Sequence, residues 1–240
     1  MPKIKSLETG SSLQRDGLNH QAIEDYLKTI YMLAETDSPV STSRIAKARD
    51  VKPASVTSMI QRLSKLNLVH YEKHYGVTLT PAGEKIALEV LRHHRLIELY
   101  LIEALGFSWD EVHEQAEILE HVISEKLEER IAAVLGHPTL DPHGDPIPAK
   151  DGTIVQVDTQ PLSRVTAGET VSVARIVDDA NSELLRYLAQ LGLTPGKVLR
   201  VMKHEPFEGP VTIMVGKETA VIGHQLAESI LVSDLQHKEK

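Results

Sequence analysis

The residues whose types and spacing could do chemistry are concentrated in one short run of histidines and glutamates. Four ligand-type side chains stand there at i, i+4, i+7 and i+8, namely His113, Glu117, Glu120 and His121. At about 100° per residue, a helix would bring them onto one stripe. Nitrogen and oxygen donors on one stripe suit a divalent first-row metal ion, whereas soft ions would want thiolates. The pattern therefore predicts a metal site, and a solvated acidic helix face is the ordinary alternative.

A second ligand-type pair precedes this run. His94 and Glu98 are also spaced i, i+4, on what would be the preceding helix. Two neighbouring helices that each carry a His/carboxylate stripe are harder to explain as solvated surface than one. We therefore expect metal ligands on both.

Composition limits the classes of protein that the chain could be. Its 240 residues suffice for two small domains with a sizeable core. There is no cysteine, which excludes disulfides, thiolate metal sites and a cysteine nucleophile. No apolar run approaches the roughly 18 residues of a membrane span, and the N-terminus lacks the apolar core of a signal peptide. The sequence thus indicates a soluble, cytoplasmic protein with no membrane partner.

The net charge of −8 argues against a nucleic-acid partner, but the charge is unevenly distributed. Residues 40–75 contain seven Lys or Arg against two Asp or Glu, a local +5. Residues 81–135 contain five basic and twelve acidic residues, a local −7. A basic module joined to an acidic one is informative where the total charge is not.

The elements that must position these residues begin after a polar stretch, 1–19, that we expect to be a flexible tail. Apolar residues then keep helical spacing from about Asn19 to about Glu35. A short helix and a turn follow, and Pro53 suits the first position of the next helix. Residues 42–66 therefore have the pattern of a helix-turn-helix.

The second helix of this motif is expected to carry the DNA-contacting surface. Small or polar side chains near its start could approach base edges, and the cations around it could contact phosphates. The first set is Ala54, Ser55, Thr57, Ser58 and Gln61, and the second is Arg44, Arg49, Lys52, Arg62 and Lys65. The alternative is an ordinary helical hairpin with a basic surface.

A predicted β-hairpin makes that alternative less attractive. Strand-like stretches lie on both sides of a Tyr75-Gly76 turn. Helix-turn-helix and hairpin together form a winged helix, whose wing tip beside the DNA backbone would be Lys73, His74 and Tyr75. A winged-helix DNA-binding domain is therefore predicted over residues 20–82.

Three more helices are predicted after the wing, over about residues 80–105, 109–122 and 124–135. The second would start at a capping box formed by Ser108 and Glu111. Their apolar surface exceeds what a winged helix alone would cover, and helix-turn-helix proteins commonly dimerise so that two recognition helices meet successive major grooves. We therefore expect residues 83–136 to form a helical dimerisation and metal-binding domain.

The remainder changes character. Residues 137–166 are rich in proline and glycine, which indicates a linker over the surface. From residue 167 the pattern suits a small SH3-like barrel. Strands are predicted at 171–177, 198–202, 211–215, 218–222 and 229–232, with a helical insert near 182–190. The predicted fold class is mainly α over the N-terminal two-thirds, followed by a small all-β SH3-like barrel.

With these motifs in place, the chain resembles the diphtheria-toxin-repressor family of metal-dependent transcriptional repressors over about residues 20–235. The motifs that carry the resemblance lie at residues 25–31, 79–83, 93–96, 112–114, 117–121 and 144–148. It implies a winged helix, a helical dimerisation domain with the metal sites, and an SH3-like or FeoA-like C-terminal domain.

The resemblance also implies two metal sites per subunit. The primary one would combine Asp25 with Glu117, Glu120 and His121. The second would use His94, Glu98 and His113, with ligands added from the C-terminal domain. Glu183 is the best candidate for such an added ligand and Asp179 the next.

The ligand types imply which ion acts. Asp25 and Glu117 are carboxylates, as in manganese-dependent members, where iron-dependent members carry Met and Cys. We therefore expect Mn²⁺, with Fe²⁺ as the alternative. Lys28 departs from manganese members that lack the third domain, which carry Glu there, so His94 is assigned to the second site rather than to a Glu-bridged pair of ions.

Three functions remain in competition. The first is a homodimeric, metal-dependent repressor of metal-uptake genes on a palindromic operator. The second is a metalloenzyme, since carboxylates and histidines on packed helices also build hydrolytic or oxidative sites. The third is a winged-helix regulator that ignores metal. The basic winged helix counts against the enzyme, and the paired ligand stripes count against the metal-independent regulator.

Overall fold

The structure, a computed structural model, describes residues 10–235 and the side chains of residues 20–235. It divides into two compact units between Leu91 and Arg92. Within the described residues, no helix combines the length and apolar character needed to cross a bilayer.

The first unit opens with α1 (Gly10–Ala34), which begins earlier than the predicted start at Asn19. Of the tail expected over residues 1–19, residues 1–9 lie outside the described part, and residues 10–19 are helical instead. No proline interrupts them, so nothing in that stretch forces the helix to begin later.

The rest of this unit has the predicted winged-helix order. It comprises α2 (Thr42–Ala48), α3 (Pro53–Lys65), β1 (Val69–Glu72), β2 (Gly76–Leu79) and the first part of α4 (Pro81–Leu105). The Ser41 hydroxyl caps α2 by accepting the Arg44 N–H at 3.3 Å, and Pro53 stands in the first turn of α3. The two strands pair antiparallel. The core of this unit includes the fully buried Leu27, Ile30, Val40, Ile45, Val56, Ile60, Leu63 and Val77.

The second unit contains the rest of α4, then α5 (Val112–Leu119) and α6 (Glu125–Val134). The prediction of a helix over 109–122 is wrong at both ends, because α5 starts after Glu111 and ends at Leu119. The Ser108 hydroxyl bonds the Glu111 carboxylate, whereas a capping box needs it on a backbone N–H of the first turn. Glu120 and His121 therefore lie in the turn after the helix.

The C-terminal part is an antiparallel sheet with strand order β3-β8-β4-β5-β6-β7. Its elements are β3 (Gln160–Pro161), β4 (Thr170–Ile176), α7 (Ser182–Gln190), β5 (Val198–His204), β6 (Val211–Val215), β7 (Glu218–Ile222), α8 (His224–Ser229) and β8 (Ile230–Asp234). The sheet is built on the five predicted strands, and α7 has the predicted bounds. The sequence patterns missed the short β3 and α8.

Residues 141–148, in the segment between α6 and β3, are largely buried and do not form a surface linker, whereas residues 149–160 are largely exposed. Asp141, His143 and Asp145 are buried. The Ile176 N–H donates to the His143 carbonyl at 3.0 Å, which attaches the segment to β4. Gly144 lies so close to β4 that a Cβ there would be 1.9 Å from the Ala174 carbonyl oxygen. Buried side chains and a backbone hydrogen bond, rather than composition, decide the position of this segment.

Candidate metal centre and DNA-binding face

The exposed side of α3 carries most of the predicted base-contacting residues. Ala54, Ser55, Ser58 and Gln61 are exposed. Thr57 is half-buried, and its hydroxyl donates to the Pro53 carbonyl at 3.1 Å, so it offers its methyl group more readily than its hydroxyl. The start of α3 therefore presents a small-residue surface that a groove could approach closely.

The predicted phosphate-contacting cations fall into two classes. Lys52, Arg62 and Lys65 are exposed around α3, and the wing residue Tyr75 is 68% exposed. Arg44 instead bonds residues at the end of α1, with its guanidinium 2.7 Å from the Thr36 hydroxyl. Arg49 forms an ion pair with Asp25, Nη2 to Oδ2 at 2.8 Å. Sequence shows the charge of these two arginines but not their intramolecular partners.

The predicted second-site residues of the second unit do come together. His94 and Glu98 lie one turn apart on α4, and their Nε2 and Oε1 atoms are 3.0 Å apart. His113 on α5 places Nδ1 3.2 Å from His94 Nε2 and 3.3 Å from Glu98 Oε1. The i, i+4 spacing thus predicted the His94–Glu98 pair, and the family resemblance implied the addition of His113.

Three residues assigned to the primary site adjoin the same cluster. His94 Nδ1 is 2.5 Å from Glu120 Oε2, and His121 Nε2 is 3.3 Å from Glu120 Oε1. Glu117 lies at the edge, 3.9 Å from His94 and 4.0 Å from His113. His94 therefore bridges Glu98 and Glu120 rather than belonging to one group alone. Asp25, the fourth residue of that assignment, lies on α1 of the first unit.

Glu120 is held in place by a histidine that sequence reasoning did not use. The His93 Nδ1–H donates to the Glu120 carbonyl at 3.2 Å, and His93 Nε2 lies 3.5 Å from Glu128 Oε2. Glu128 is in turn bonded by Arg92 Nε at 2.6 Å. This chain of contacts between α4, α6 and the turn after α5 fixes the backbone that carries Glu120 and His121.

Sequence reasoning also missed two buried ligand-type residues, Asp141 and His143. Donor atoms of Glu98, Asp141 and His143 all lie within 4.8 Å of one another. Glu98 faces two ways, because Oε1 meets His94 and His113 while Oε2 is 3.7 Å from His143 Nδ1. A histidine two residues after an aspartate was the available signal, and the linker interpretation of residues 137–166 obscured it.

The protonation pattern of His143 suits a ligand. Its Nε2–H donates to the Trp109 carbonyl at 2.9 Å, and its ring stacks on the Trp109 ring with centroids 5.5 Å apart. Nδ1 is therefore the nitrogen that can release a proton and accept a cation. Among the described residues, His143 Nδ1, Glu98 Oε2 and Asp141 Oδ2 are buried without a hydrogen-bond partner.

The charges of this group are strongly coupled. Burial by itself raises the pKa of Glu98, but His94, His113 and His143 outweigh it and hold that pKa well below its usual range. Burial, with Asp145 and Glu98 nearby, raises the pKa of Asp141 well above its usual range. Burial would lower the pKa of His143, whereas Glu98, Asp141 and the Trp109 carbonyl raise it to about 9.

These buried donors fit a divalent cation. Buried polar atoms without hydrogen bonds are uncommon and need an explanation. Two carboxylate oxygens and an imidazole nitrogen so close together repel one another unless they bind protons or a metal cation. Such a mixed set of oxygen and nitrogen donors suits Mn²⁺, Fe²⁺ or Zn²⁺. The arrangement can thus exchange bound protons for a metal ion.

The cluster depends on contacts between the helical and sheet parts of the second unit. Arg95 on α4 bonds Asp145 at 2.9 Å, and Arg175 on β4 pairs with the same carboxylate at 2.7 Å. The sheet therefore helps to position residues 141–145 against α4. Glu183, the predicted C-terminal ligand, lies exposed in the first turn of α7, outside the ligand groups found among the described residues.

Three family models match successive parts of the chain. Residues 20–77 match the iron dependent repressor N-terminal DNA binding domain, and residues 80–149 match the iron dependent repressor metal binding and dimerisation domain. Residues 160–234 match the FeoA domain.

Two curated relatives match over nearly their whole length. The iron-dependent repressor IdeR of Mycobacterium tuberculosis is 31% identical over 226 residues, covering 87% of this chain and 95% of that protein. The diphtheria toxin repressor of Corynebacterium glutamicum is 31% identical over 219 residues, covering 89% of this chain and 92% of that protein.

Solved structures are similar over the same length. A manganese-dependent transcriptional repressor in complex with manganese has 38% identity and a TM-score of 0.82, covering 89% of this chain and 100% of that chain. ScaR with bound Cd²⁺ has 34% identity and a TM-score of 0.76, covering 89% and 99% respectively. The T. acidophilum IdeR has 27% identity and a TM-score of 0.71, covering 96% and 100%.

Proposed function

Because the chain belongs to the iron-dependent repressor family of metal-dependent, DNA-binding transcriptional repressors, we propose that it is a homodimeric repressor of metal-uptake genes activated by Mn²⁺, with Fe²⁺ as the alternative ion. Its family consists of regulators and not of enzymes, which removes the metalloenzyme alternative. The observation that carries the proposal is the buried group of donors around Glu98, in a chain whose α3 also has an exposed side of small and polar residues. Its place of action is the cytoplasm, where operator DNA lies.

The proposed primary metal site is formed by Asp25, Glu117, Glu120 and His121. The mutual contacts of Glu120 and His121, and the proximity of Glu117 to His113, support the part that belongs to the second unit. Lys28 is buried one turn after Asp25 on α1, and a buried ammonium there disfavours an additional cation beside Asp25. Asp25 would then serve one ion rather than a pair.

For the second site we propose Glu98 with His94 and His113, extended by Asp141 and His143. The Glu98 oxygen Oε2, buried without a hydrogen bond 3.7 Å from His143 Nδ1, and the orientation of His143 support this extension. Glu183 stays a candidate ligand. A metal ion bound there would contact both the Glu98 carboxylate on α4 and the Asp141 carboxylate, which otherwise repel each other.

The proposed ion follows from donor hardness and geometry. Carboxylate oxygens predominate in the primary site, and oxygen donors suit Mn²⁺ and tolerate Fe²⁺. Zn²⁺ should bind more tightly in a simple affinity series, but it is satisfied by four ligands whereas Mn²⁺ takes six or more. We therefore expect Mn²⁺ to activate DNA binding better even where Zn²⁺ binds more tightly. The names of two similar proteins support Mn²⁺ with Fe²⁺ as the alternative, because one is called a manganese-dependent repressor and the other an iron-dependent repressor.

DNA recognition would place α3 in the major groove, with Ser55, Thr57 and Gln61 toward base edges and Lys52, Arg62 and Lys65 toward phosphates. A two-fold dimer implies a palindromic operator whose half-sites lie about one helical turn apart. Exposed apolar side chains on the helical part of the second unit support dimerisation there. They include Leu105, Ile118, Val122, Leu127 and Val134.

The deciding experiment compares operator affinity with Mn²⁺ and with chelator. We expect at least about a hundredfold loss of affinity without metal, the upper range of ordinary allosteric coupling. The probe is DNA from the region upstream of the protein's own gene, with a scrambled duplex as control. Equal affinity in both conditions would remove metal dependence from the proposal and leave a winged-helix regulator that ignores metal.

A further inference from the structure

We propose that Arg49 is an internal competitor for metal at Asp25. In the metal-free protein its guanidinium neutralises the Asp25 carboxylate, and it is released toward a DNA phosphate when Asp25 takes a metal ion. This inference rests on the proposed function, in which Asp25 is a metal ligand. Arg49 would thus weaken metal binding and strengthen DNA binding.

The contacts of Arg49 single it out among the cations of the first unit. Its Nη2 lies 2.8 Å from Asp25 Oδ2, and the two side chains are only 24% and 14% exposed. Its guanidinium carbon also lies 5.3 Å from the centre of the Tyr26 ring, a cation–π distance. The guanidinium is therefore held by two neighbouring residues of α1.

This pairing competes with metal for the same carboxylate. An oxygen that accepts a charge-assisted hydrogen bond from a guanidinium donates less electron density to a metal ion. A fixed positive charge beside Asp25 also repels an arriving divalent cation, and partial burial leaves that repulsion poorly screened. Removal of the charge should therefore tighten metal binding.

The pairing is also incomplete, which lowers the cost of releasing it. Arg49 Nε is buried without a hydrogen-bond partner among the residues whose side chains are described. A guanidinium can donate five hydrogen bonds, and a phosphate would engage donors that the folded chain leaves unused.

The position of Arg49 connects Asp25 to the DNA-contacting helix. Arg49 is the C-terminal cap of α2, and its backbone N–H donates to the Ile45 carbonyl at 3.0 Å. The next residues, Asp50 with φ 48° and Val51, form the turn that leads to Lys52 at the start of α3. A guanidinium at this turn lies beside the surface that a DNA backbone would meet. Arg44, on the same helix, contacts Leu33, Thr36 and Asp37 instead.

The first test measures Mn²⁺ binding by the full-length protein without DNA, from the electron paramagnetic resonance signal of unbound Mn²⁺. Arg49→Met keeps the apolar stem and removes the charge, so Mn²⁺ should bind about 5- to 30-fold more tightly. Arg44→Met removes a cation from the same helix and should change affinity by less than about twofold. Arg49→Lys retains the charge and should stay within about threefold of the parent.

The second test uses operator DNA at saturating Mn²⁺. Here Arg49→Met should bind several-fold more weakly, and its salt slope should fall by roughly one unit because one phosphate contact is lost. Tighter metal binding combined with weaker DNA binding is a signature that simple loss of fold would not give. Thermal unfolding of each variant identifies any that fails to fold, in which case Arg49→Gln replaces it.

A double-mutant cycle with Asp25→Asn separates this inference from the proposed function. In the Asp25→Asn background, Arg49→Met should change Mn²⁺ affinity by less than about twofold, because the carboxylate for which Arg49 and the metal compete is absent. If Asp25→Asn weakens Mn²⁺ binding but Arg49→Met changes nothing in the native background, the competition is refuted and the metal site stands. If Asp25→Asn has no effect on Mn²⁺, the primary-site assignment and the competition both fail.

Discussion

At the scale of the residue, Asp141 distinguishes two versions of the second metal site. It is buried, with a carboxylate oxygen within 4.8 Å of donor atoms of Glu98 and His143, whereas the predicted ligand Glu183 is exposed on α7. We expect Asp141→Asn to lower the number of bound Mn²⁺ ions per subunit from two toward one, and Glu183→Gln to leave it unchanged. Equilibrium dialysis at saturating Mn²⁺ measures this number. Loss of an ion from Glu183→Gln alone would restore the original assignment.

The pKa of His143 predicts how pH affects the metal-free protein. Because the folded-state pKa is about 9 and the usual value is 6.5, the protonated ring stabilises the fold fully below pH 6.5. That stabilisation is lost as pH rises through about 9, so the free energy of unfolding should fall by about 1–3 kcal/mol over this window. Urea unfolding in chelator, from pH 6 to 9, measures it. His143→Asn should flatten the profile, and an equally steep profile in that variant would contradict the assignment.

Residues differ in how well the sequence predicted their neighbours. His94 and Glu98 were predicted as a pair because helical spacing is local, so the pattern itself places the two side chains together. His113 lies on a different helix, and its place beside them was implied by the family resemblance. Asp25 and Arg49 stand 24 residues apart, and their ion pair depends on how α1 and α2 pack. Charge is visible in a sequence, but the partner of a charge is not.

At the scale of the element, regular helices and strands were predicted more accurately than the segments between them. The bounds of α7 and the pairing of the wing follow from hydrophobic periodicity and turn residues. Residues 141–147 have no periodicity, and their inward packing depends on Arg95 and on β4, which are distant in sequence. This is why the segment was predicted as a linker and two of its ligand-type residues were missed.

Gly144 tests whether this segment is structural. Its φ is +89°, and a Cβ would stand 1.9 Å from the Ala174 carbonyl oxygen, so Gly144→Ala must displace the segment from β4. We expect a loss of about 2–4 kcal/mol in the stability of the second unit. Gly168 has a similar φ of +98° with nothing within 4 Å of a Cβ, so Gly168→Ala isolates the cost of the backbone conformation. Denaturant unfolding should separate the two variants, and equal losses would show that the close contact is unimportant.

At the scale of the whole molecule, function is proposed to require two subunits. Val122 is 75% exposed in the turn after α5, among apolar residues that support dimerisation. We expect Val122→Lys to shift the protein toward monomer by about tenfold or more in dissociation constant, because a buried lysine is costly at an interface. Sedimentation at several concentrations, with Mn²⁺, measures this shift.

A matched surface residue provides the control. Val221 on β7 is 61% exposed in the sheet of the same unit, so Val221→Lys introduces the same charge away from the proposed interface. It should leave the dimer intact and operator affinity unchanged. An unchanged dimer in Val122→Lys would place the interface elsewhere on the second unit.

The donors assembled around Glu98 contain only nitrogen and oxygen, in a chain without cysteine. Peroxide converts thiolate ligands stepwise to sulfenic, sulfinic and sulfonic acids, which no longer hold metal in the same way. Imidazole and carboxylate ligands do not enter that sequence of reactions. A site built from these donors therefore cannot lose its metal through oxidation of a ligand sulfur.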